Sequence, residues 1–313
     1  VNTASATATI SGNIVFGASS GAQQSRFTNL STTYGLAGAV TATGNVSVDN
    51  GGTWTGAFTQ TANGGSVQFV NRAAGIYGGV VTSGDVTSLA NAGTMTLANG
   101  STIGASGATA SSLANTGTLT IGYSASPALV TVNGSFNQAA SGVLNIPIKA
   151  PGAAELLAGG NFGQLVLTGG SGTAILDGTL NLQVAAGFYP TGSVYKLIVA
   201  DQGITGNFTA ISGNSTAFLT FVPLGIVTVA GAQQAYECQV QRALTYAQAL
   251  AGVGTANQLA IAAGLQPLVA TASANPSGDA ATLVGDIDVL TTAQAQAFLD
   301  AASPQGYLAY VQG

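Results

Sequence analysis

Polar and apolar residues alternate through most of this chain. Thr179-Leu180-Asn181-Leu182-Gln183-Val184 alternates, and so do Asn45-Val46-Ser47-Val48, Ser66-Val67-Gln68-Phe69 and Leu144-Asn145-Ile146. A period of two places one set of side chains on each face of a strand. Leu165-Val166-Leu167 is a short continuous apolar run instead. From Val1 to about Ala230 the apolar segments are short and separated by Gly or Asn, which predicts many short strands in a sandwich, a barrel or a solenoid.

An internal repeat selects the solenoid. Asn91-Ala92-Gly93-Thr94-Met95-Thr96-Leu97 recurs 24 residues later as Asn115-Thr116-Gly117-Thr118-Leu119-Thr120-Ile121, with Leu89-Ala90 matched by Leu113-Ala114. Asn50-Gly51-Gly52-Thr53-Trp54-Thr55-Gly56 is a looser echo. A fixed period of this length is the signature of stacked turns, each pairing its backbone with the turns above and below. Met95, Leu97, Leu119 and Ile121 are expected to point inward, and the intervening threonines outward. At roughly 20–25 residues per turn, the region holds about ten turns.

Past Ala232 the texture changes to Ala, Gln and Leu. Val240, Ala243, Leu244, Ala247, Leu250 and Ala251 fall at helical spacing. Leu259, Ala262 and Ala263 continue in a second segment, and Asn275-Pro276-Ser277-Gly278 reads as a break. Leu283, Ile287 and Leu290 form a third stripe. Thr291 and Gln294 fit a capping box, and Ser303-Pro304 ends that helix. These stripes either pack against one another and the end of the solenoid or dock onto another molecule.

Composition narrows the chemistry. Hydrophobic residues make up 46% of the 313 residues, ample for a core, whereas charged residues make up 5%, against about 25% in an ordinary domain. Disorder requires low hydrophobicity and high net charge, and this chain has neither. The net charge is −5 and no Lys or Arg clusters occur, so nucleic acid is not an expected partner. No run of 18 apolar residues occurs. Residue 1 is Val, with no basic segment and apolar core after it, which reads as a processed or cut N-terminus. Cys238 is the sole cysteine, so no internal disulfide forms; it is a small buried side chain on a helix, or the site of an intermolecular disulfide.

The stretch from Gly178 to Ile211 resembles the end of an autotransporter passenger, the exported part of a Gram-negative surface protein. The resembling residues are Gly178-Thr179-Leu180, Phe188-Tyr189-Pro190-Thr191-Gly192, Tyr195-Lys196-Leu197-Ile198-Val199-Ala200 and Gly203-Ile204-Thr205-Gly206-Asn207-Phe208. The similarity continues in Asn257-Gln258-Leu259-Ala260-Ile261-Ala262, in Leu290-Thr291-Thr292-Ala293-Gln294 and in Ser303-Pro304-Gln305-Gly306-Tyr307. Gln305 stands where an acid is common in the family, and no membrane barrel follows Gly313. The chain therefore reads as the secreted portion after cleavage or as a truncated piece. The resemblance implies a right-handed β-helix, closed by terminal turns that assist folding outside the cell. It also implies export and display or release at the cell surface, and it assigns no single activity.

The search for a reaction centre ends without one. Gly17-Ala18-Ser19-Ser20-Gly21 matches a nucleophile-elbow pattern, but the chain contains no histidine to act as base, and the segment reads as a turn. Gly169-Gly170-Ser171-Gly172 begins like a calcium-binding repeat and then lacks its Asp, since Thr173 and Ala174 follow and Asp177 comes too late. Asp49, Asp85, Glu155, Asp177 and Asp201 are the acids of the repetitive half; Asp177 and Asp201 lie 24 apart, a spacing that stacks them if the turn length holds. Asp286 and Asp288, two apart on a helix, do not share a face. Trp54 marks a sugar-binding surface or covers the first turns. Tyr34, Tyr77 and Tyr123, at spacings of 43 and 46, suggest an aromatic stripe.

The expected architecture is thus all-β: a right-handed parallel β-helix (β-solenoid) over 1–231, with 178–230 as autochaperone-like terminal turns, and an α-helical tail or linker over 232–313. The expected function is non-catalytic: an extracellular adhesive or structural protein that self-associates into dimers, filaments or a surface layer. Val1 to Ser25 has no charge and no Pro, so that end of the solenoid is an unprotected edge. Expected partners are further copies of the chain, through the solenoid ends or the helical tail, and host or cell-surface glycans. The outer membrane enters only through a barrel this chain does not contain. No catalytic residue, cofactor or metal is assigned. The alternatives are a polysaccharide-acting hydrolase with two acids on the solenoid wall, and a passive spacer for a missing N-terminal domain.

Overall fold

The computed structural model describes residues 10–19, 24–31, 35–62, 64–105, 111–151, 156–242 and 244–303. The protein is mostly β, built on three long sheets whose strands are largely parallel. The chain visits the sheets in rotation. Thr53–Thr55 lies in sheet 1, Phe58–Thr61 in sheet 2 and Ser66–Asn71 in sheet 3. Ile76–Gly79 then returns to pair in parallel with Thr53–Thr55. Each element therefore neighbours not its successor but the strand one circuit later, which is consistent with a β-helix.

The repeat falls into register. Leu89, Ala90 and Asn91 pair with Leu113, Ala114 and Asn115, and Thr94 to Leu97 pair with Thr118 to Ile121. Met95, Leu97, Leu119 and Ile121 are fully buried, Thr94 is exposed, and Thr96, Thr118 and Thr120 are half-buried. Among the described residues nine strands follow one another along sheet 1 and eight along sheet 3, somewhat below the expected total of about ten turns. The reason is turn length: stacked positions lie 20 to 24 residues apart from Asn29 to Gln138, but 36 apart at Asn145 and Asn181.

Small residues at the corners let the turns approach. Along one corner run Gly38, Gly56 and Gly79, where a Cβ would overlap the carbonyl oxygen of the glycine one turn earlier. Along another, a Cβ on Gly93 would strike the Gly75 and Arg72 carbonyls, and one on Gly117 the Gly93 carbonyl. The core of the first turns is aromatic: Trp54 stacks on Phe69 at 5.8 Å and meets Tyr77 edge-on at 4.9 Å. Farther along it becomes aliphatic, with Leu89, Met95, Leu113 and Leu119.

The final two strands depart from the parallel pattern. Gln233–Gln241 pairs antiparallel with Val194–Ala200, and Thr220–Ala230 pairs antiparallel with Gln233–Gln241. Cys238 is buried on this last strand rather than on a helix. The helical stripe expected from Val240 to Ala251 is likewise mostly not helical. Val240 belongs to the strand, where it pairs with Phe221 and hydrogen-bonds to the Gly192 and Ser193 backbone, and α1 spans only Tyr246–Ala249. α2 (Ala256–Ala274), α3 (Asp279–Asp288) and α4 (Thr292–Ala301) follow. The capping box of Thr291 and Gln294 is present, and Thr245/Gln248 and Thr255/Gln258 form two more.

The tail packs on the end of the β region. Phe218 joins Tyr246, Leu250, Ala262, Ile287, Ala295 and Leu299 in one cluster, and Phe188 joins Ala272, Ala281 and Val284 in another. Contact at Gly285 is so close that a Cβ there would overlap the backbone of Gly187 and Phe188.

Candidate functional site

The acids proposed to meet on a solenoid wall do not. Asp177 follows the sheet 3 strand Ala174–Leu176 and accepts from the Gly178 amide at 2.7 Å. Asp201 follows the sheet 2 strand Val194–Ala200, accepting from the Gly169 amide at 3.2 Å and from Gln233 Nε2 at 2.9 Å. The turn in this region has lengthened to 31 residues, as at Thr209 and Gly178, so an offset of 24 no longer stacks two residues. Asp49 is held by Arg72, and Asp85 is buried and accepts from Gln60 Nε2 at 2.6 Å. Glu155 lies outside the described residues. Asp286 is exposed and Asp288 buried, on different faces of α3. Among the described residues no group of three or more His, Cys, Asp or Glu side chains converges.

The other sequence candidates also resolve. Trp54 is fully buried, and its Nε1 donates to the Gly38 carbonyl at 2.9 Å, so it is core and not a sugar platform. Tyr77 is buried while Tyr123 is 46% exposed, so the two share no stripe; Tyr34 lies outside the described residues. Gly17 sits in the strand Ile14–Ser19, while Ser20 and Gly21 lie outside the described residues. Burial in apolar surroundings pushes the Cys238 thiol up to about 12, which keeps it protonated and unreactive.

Sequence reasoning missed an interior ladder of amides. Asn29, Asn50, Asn71, Asn91, Asn115 and Gln138 are buried at the end of successive sheet 3 strands. Each asparagine Nδ2 donates to the next side-chain oxygen, at 2.7, 2.7, 2.7, 2.8 and 2.9 Å in chain order. Its second hydrogen reaches the backbone carbonyl of Thr53, Ile76, Thr94, Thr118 or Val143 in turn. The ladder thus ties the end of sheet 3 to the start of sheet 1 at every level. Its terminal atoms, Asn29 Oδ1 and Gln138 Nε2, are buried without a partner. The signal was the Asn heading each copy of the repeat. Unequal spacing hid Asn29 and Asn71.

A second polar cluster fastens the tail. Arg242 pairs with Asp288, which also accepts from the Tyr246 hydroxyl at 2.9 Å. Thr216 Oγ1 donates to the Asp288 carbonyl at 2.6 Å. Burial raises the Asp288 carboxyl above the usual carboxylate range, against the opposing pull of Arg242 and of the hydrogen bonds from Arg242 and Tyr246.

What the molecule presents outward is an edge. Thr220–Ala230 is the outermost strand of sheet 2; Asn214 and Ser215 cover its start at Thr220 and Phe221, and among the described residues no strand pairs with the outer side of the rest. Its eleven residues carry no charge, and Leu224, Ile226 and Val229 are exposed. The register shifts between Pro223 and Gly225 and again between Thr228 and Ala230, which leaves Gly225 to Thr228 as the regular part. At the opposite end the edge strands are Ile10–Ser11, Ile14–Ser19 and Ser25–Asn29. Of the uncharged stretch from Val1 to Ser25, residues 1–9 and 20–23 lie outside the described residues. No known protein family and no curated protein matches this chain.

Proposed function

We propose that this chain is a right-handed parallel β-helix, the passenger portion of an autotransporter. In this reading it is exported to the surface of a Gram-negative bacterium and acts there without catalysis, as a self-associating adhesive or structural protein. The rotation of the chain through three parallel sheets supports the β-helix. The antiparallel strands that close sheet 2 directly after Gly178–Ile211 fit the terminal turns that the resemblance implies.

The observation that carries self-association is the uncharged strand Thr220–Ala230, which past Phe221 has no partner strand along its outer edge among the described residues. Such an edge offers a row of free N–H and C=O groups to another strand, and native proteins ordinarily blunt it with charge. Low overall charge removes most of the repulsion between copies. Two copies of one strand can meet antiparallel about a two-fold axis and close as a dimer.

The test is sedimentation velocity with electron microscopy across a wide concentration range, on the wild-type chain and on Ile226→Lys. Dimers or longer assemblies are expected, weakened about tenfold or more by the lysine. A chain that stays strictly monomeric at every concentration overturns the reading.

A further inference from the structure

We propose that the outer face of sheet 3 around Arg26 binds the carboxylate-bearing units of an acidic saccharide. In Ser25–Asn29 the side chains of Phe27 and Asn29 are buried in the core, so Arg26 projects outward, where it is exposed. Its register partner one turn on is Ser47, and the next is Gln68. The neighbouring column holds Asp49 and Val70. Arg72 follows the strand Ser66–Asn71 and grips Asp49 with both Nε and Nη2 at 2.5 Å. These side chains line one open groove of about 270 Å³.

The two arginines differ in what they leave free. Arg72 has its fork occupied by Asp49. Among the described residues Arg26 has neither a hydrogen-bond nor an ion-pair partner, so its guanidinium is available for a two-point contact with a carboxylate. Two of the five cations in a chain of net charge −5 share this groove, making it a positive locus on a mostly uncharged surface.

The rest of the groove fits a sugar. The exposed Gln68 amide provides a donor and an acceptor for hydroxyl groups, and the Asp49 oxygens, each taking one Arg72 hydrogen, keep lone pairs that can accept another. The Val70 methyls offer an apolar patch for ring C–H. Turns stacked at roughly 4.8 Å set these groups along a line, as a linear oligosaccharide sets out its own. One unneutralised cation suits an occasional carboxylate and is too little for a phosphate backbone, which needs several.

The site adds a ligand to the adhesive reading and is tested apart from self-association. Titration calorimetry uses oligomers of galacturonate, of alginate and of hyaluronan, with a fully methyl-esterified galacturonate oligomer and acetate as controls. At least one acidic oligomer is expected to bind saturably, and the ester and acetate not to bind. Arg26→Ala is expected to weaken binding about tenfold or more, and Arg26→Lys to restore only part, since it lacks the fork. Because Arg26 is exposed, unfolding temperature and sedimentation should match wild type. Absence of binding by every acidic oligomer overturns the proposal. So does equal binding by Arg26→Ala, and so does equal binding of acetate, which would mark a bare carboxylate site. None of these results touches the assembly state, which stands or falls on the Thr220–Ala230 edge.

Discussion

The side-chain amide of Asn91 donates to Asn115 Oδ1 at 2.8 Å, and both side chains are sealed inside the protein. A buried amide is costly unless every donor and acceptor is met, and here one turn satisfies the next. The pairing also fixes register. A slip of one residue would carry Asn115 to the outer face and leave Asn91 Nδ2 facing a neighbour without an acceptor.

Asn91→Ala leaves the Asn115 oxygen and one Asn71 hydrogen without their partners. Each of the two stranded buried groups costs about 1–3 kcal/mol, so a loss of about 2–6 kcal/mol is expected by denaturant unfolding. Asn137→Ala, on the exposed face of the sheet 3 strand Gly134–Gln138, two places from that of Asn91, should stay within about 0.5 kcal/mol of wild type. Similar losses for the two would remove the ladder as a source of stability.

Two glycines should respond with opposite sign. Gly56→Ala sets a methyl on the Gly38 carbonyl, which backbone must move to relieve, and is expected to lower stability by about 1–3 kcal/mol. Gly264 lies inside α2 with open space where a Cβ would stand. Gly264→Ala should therefore raise stability by about 0.5–1 kcal/mol. Thermal melts of the two variants side by side check both.

Asp288 makes the attachment of the tail pH-dependent. Its folded pKa is raised, so between the ordinary carboxylate value and the raised one the folded state holds more proton than the unfolded. Its contribution is complete below the unfolded value and declines as pH rises through that window. Hydrogen exchange of α3 against pH should show protection falling with rising pH there, and Asp288→Asn should flatten the profile. A slope of the opposite sign would mean that Arg242 prevails over burial. Arg242→Met, which strands the carboxylate, is expected to cost about 3–5 kcal/mol.

Cys238 should be silent in the folded protein. With the thiol buried and its pKa near 12, an aromatic disulfide reagent is expected to react only as fast as the chain unfolds. A covalent dimer on non-reducing gels of native protein, without denaturant, would contradict this.

The sequence carried the local rules. Alternation in Thr179–Val184 and the 24-residue repeat were enough to place Met95 over Leu119 and Leu97 over Ile121, because a stacked turn demands the same residue type in the same place each time. The tail's helix starts were legible at Thr291 and Gln294, since a capping box is a contact within four residues. What could not be read were relations across turns of unequal length. Asp177 and Asp201 look stacked until the turn reaches 31 residues, and Asn29 and Asn50 look unrelated until backbone pairing aligns them. The course of Val240 was settled by pairing with Phe221 and by backbone bonds to Gly192 and Ser193, which outweighed its helical spacing. Tertiary structure decided which polar residues lie inside, because an amide can be buried where a residue on the neighbouring strand completes its hydrogen bonds, as Asn115 does for Asn91 and Gln138 for Asn115.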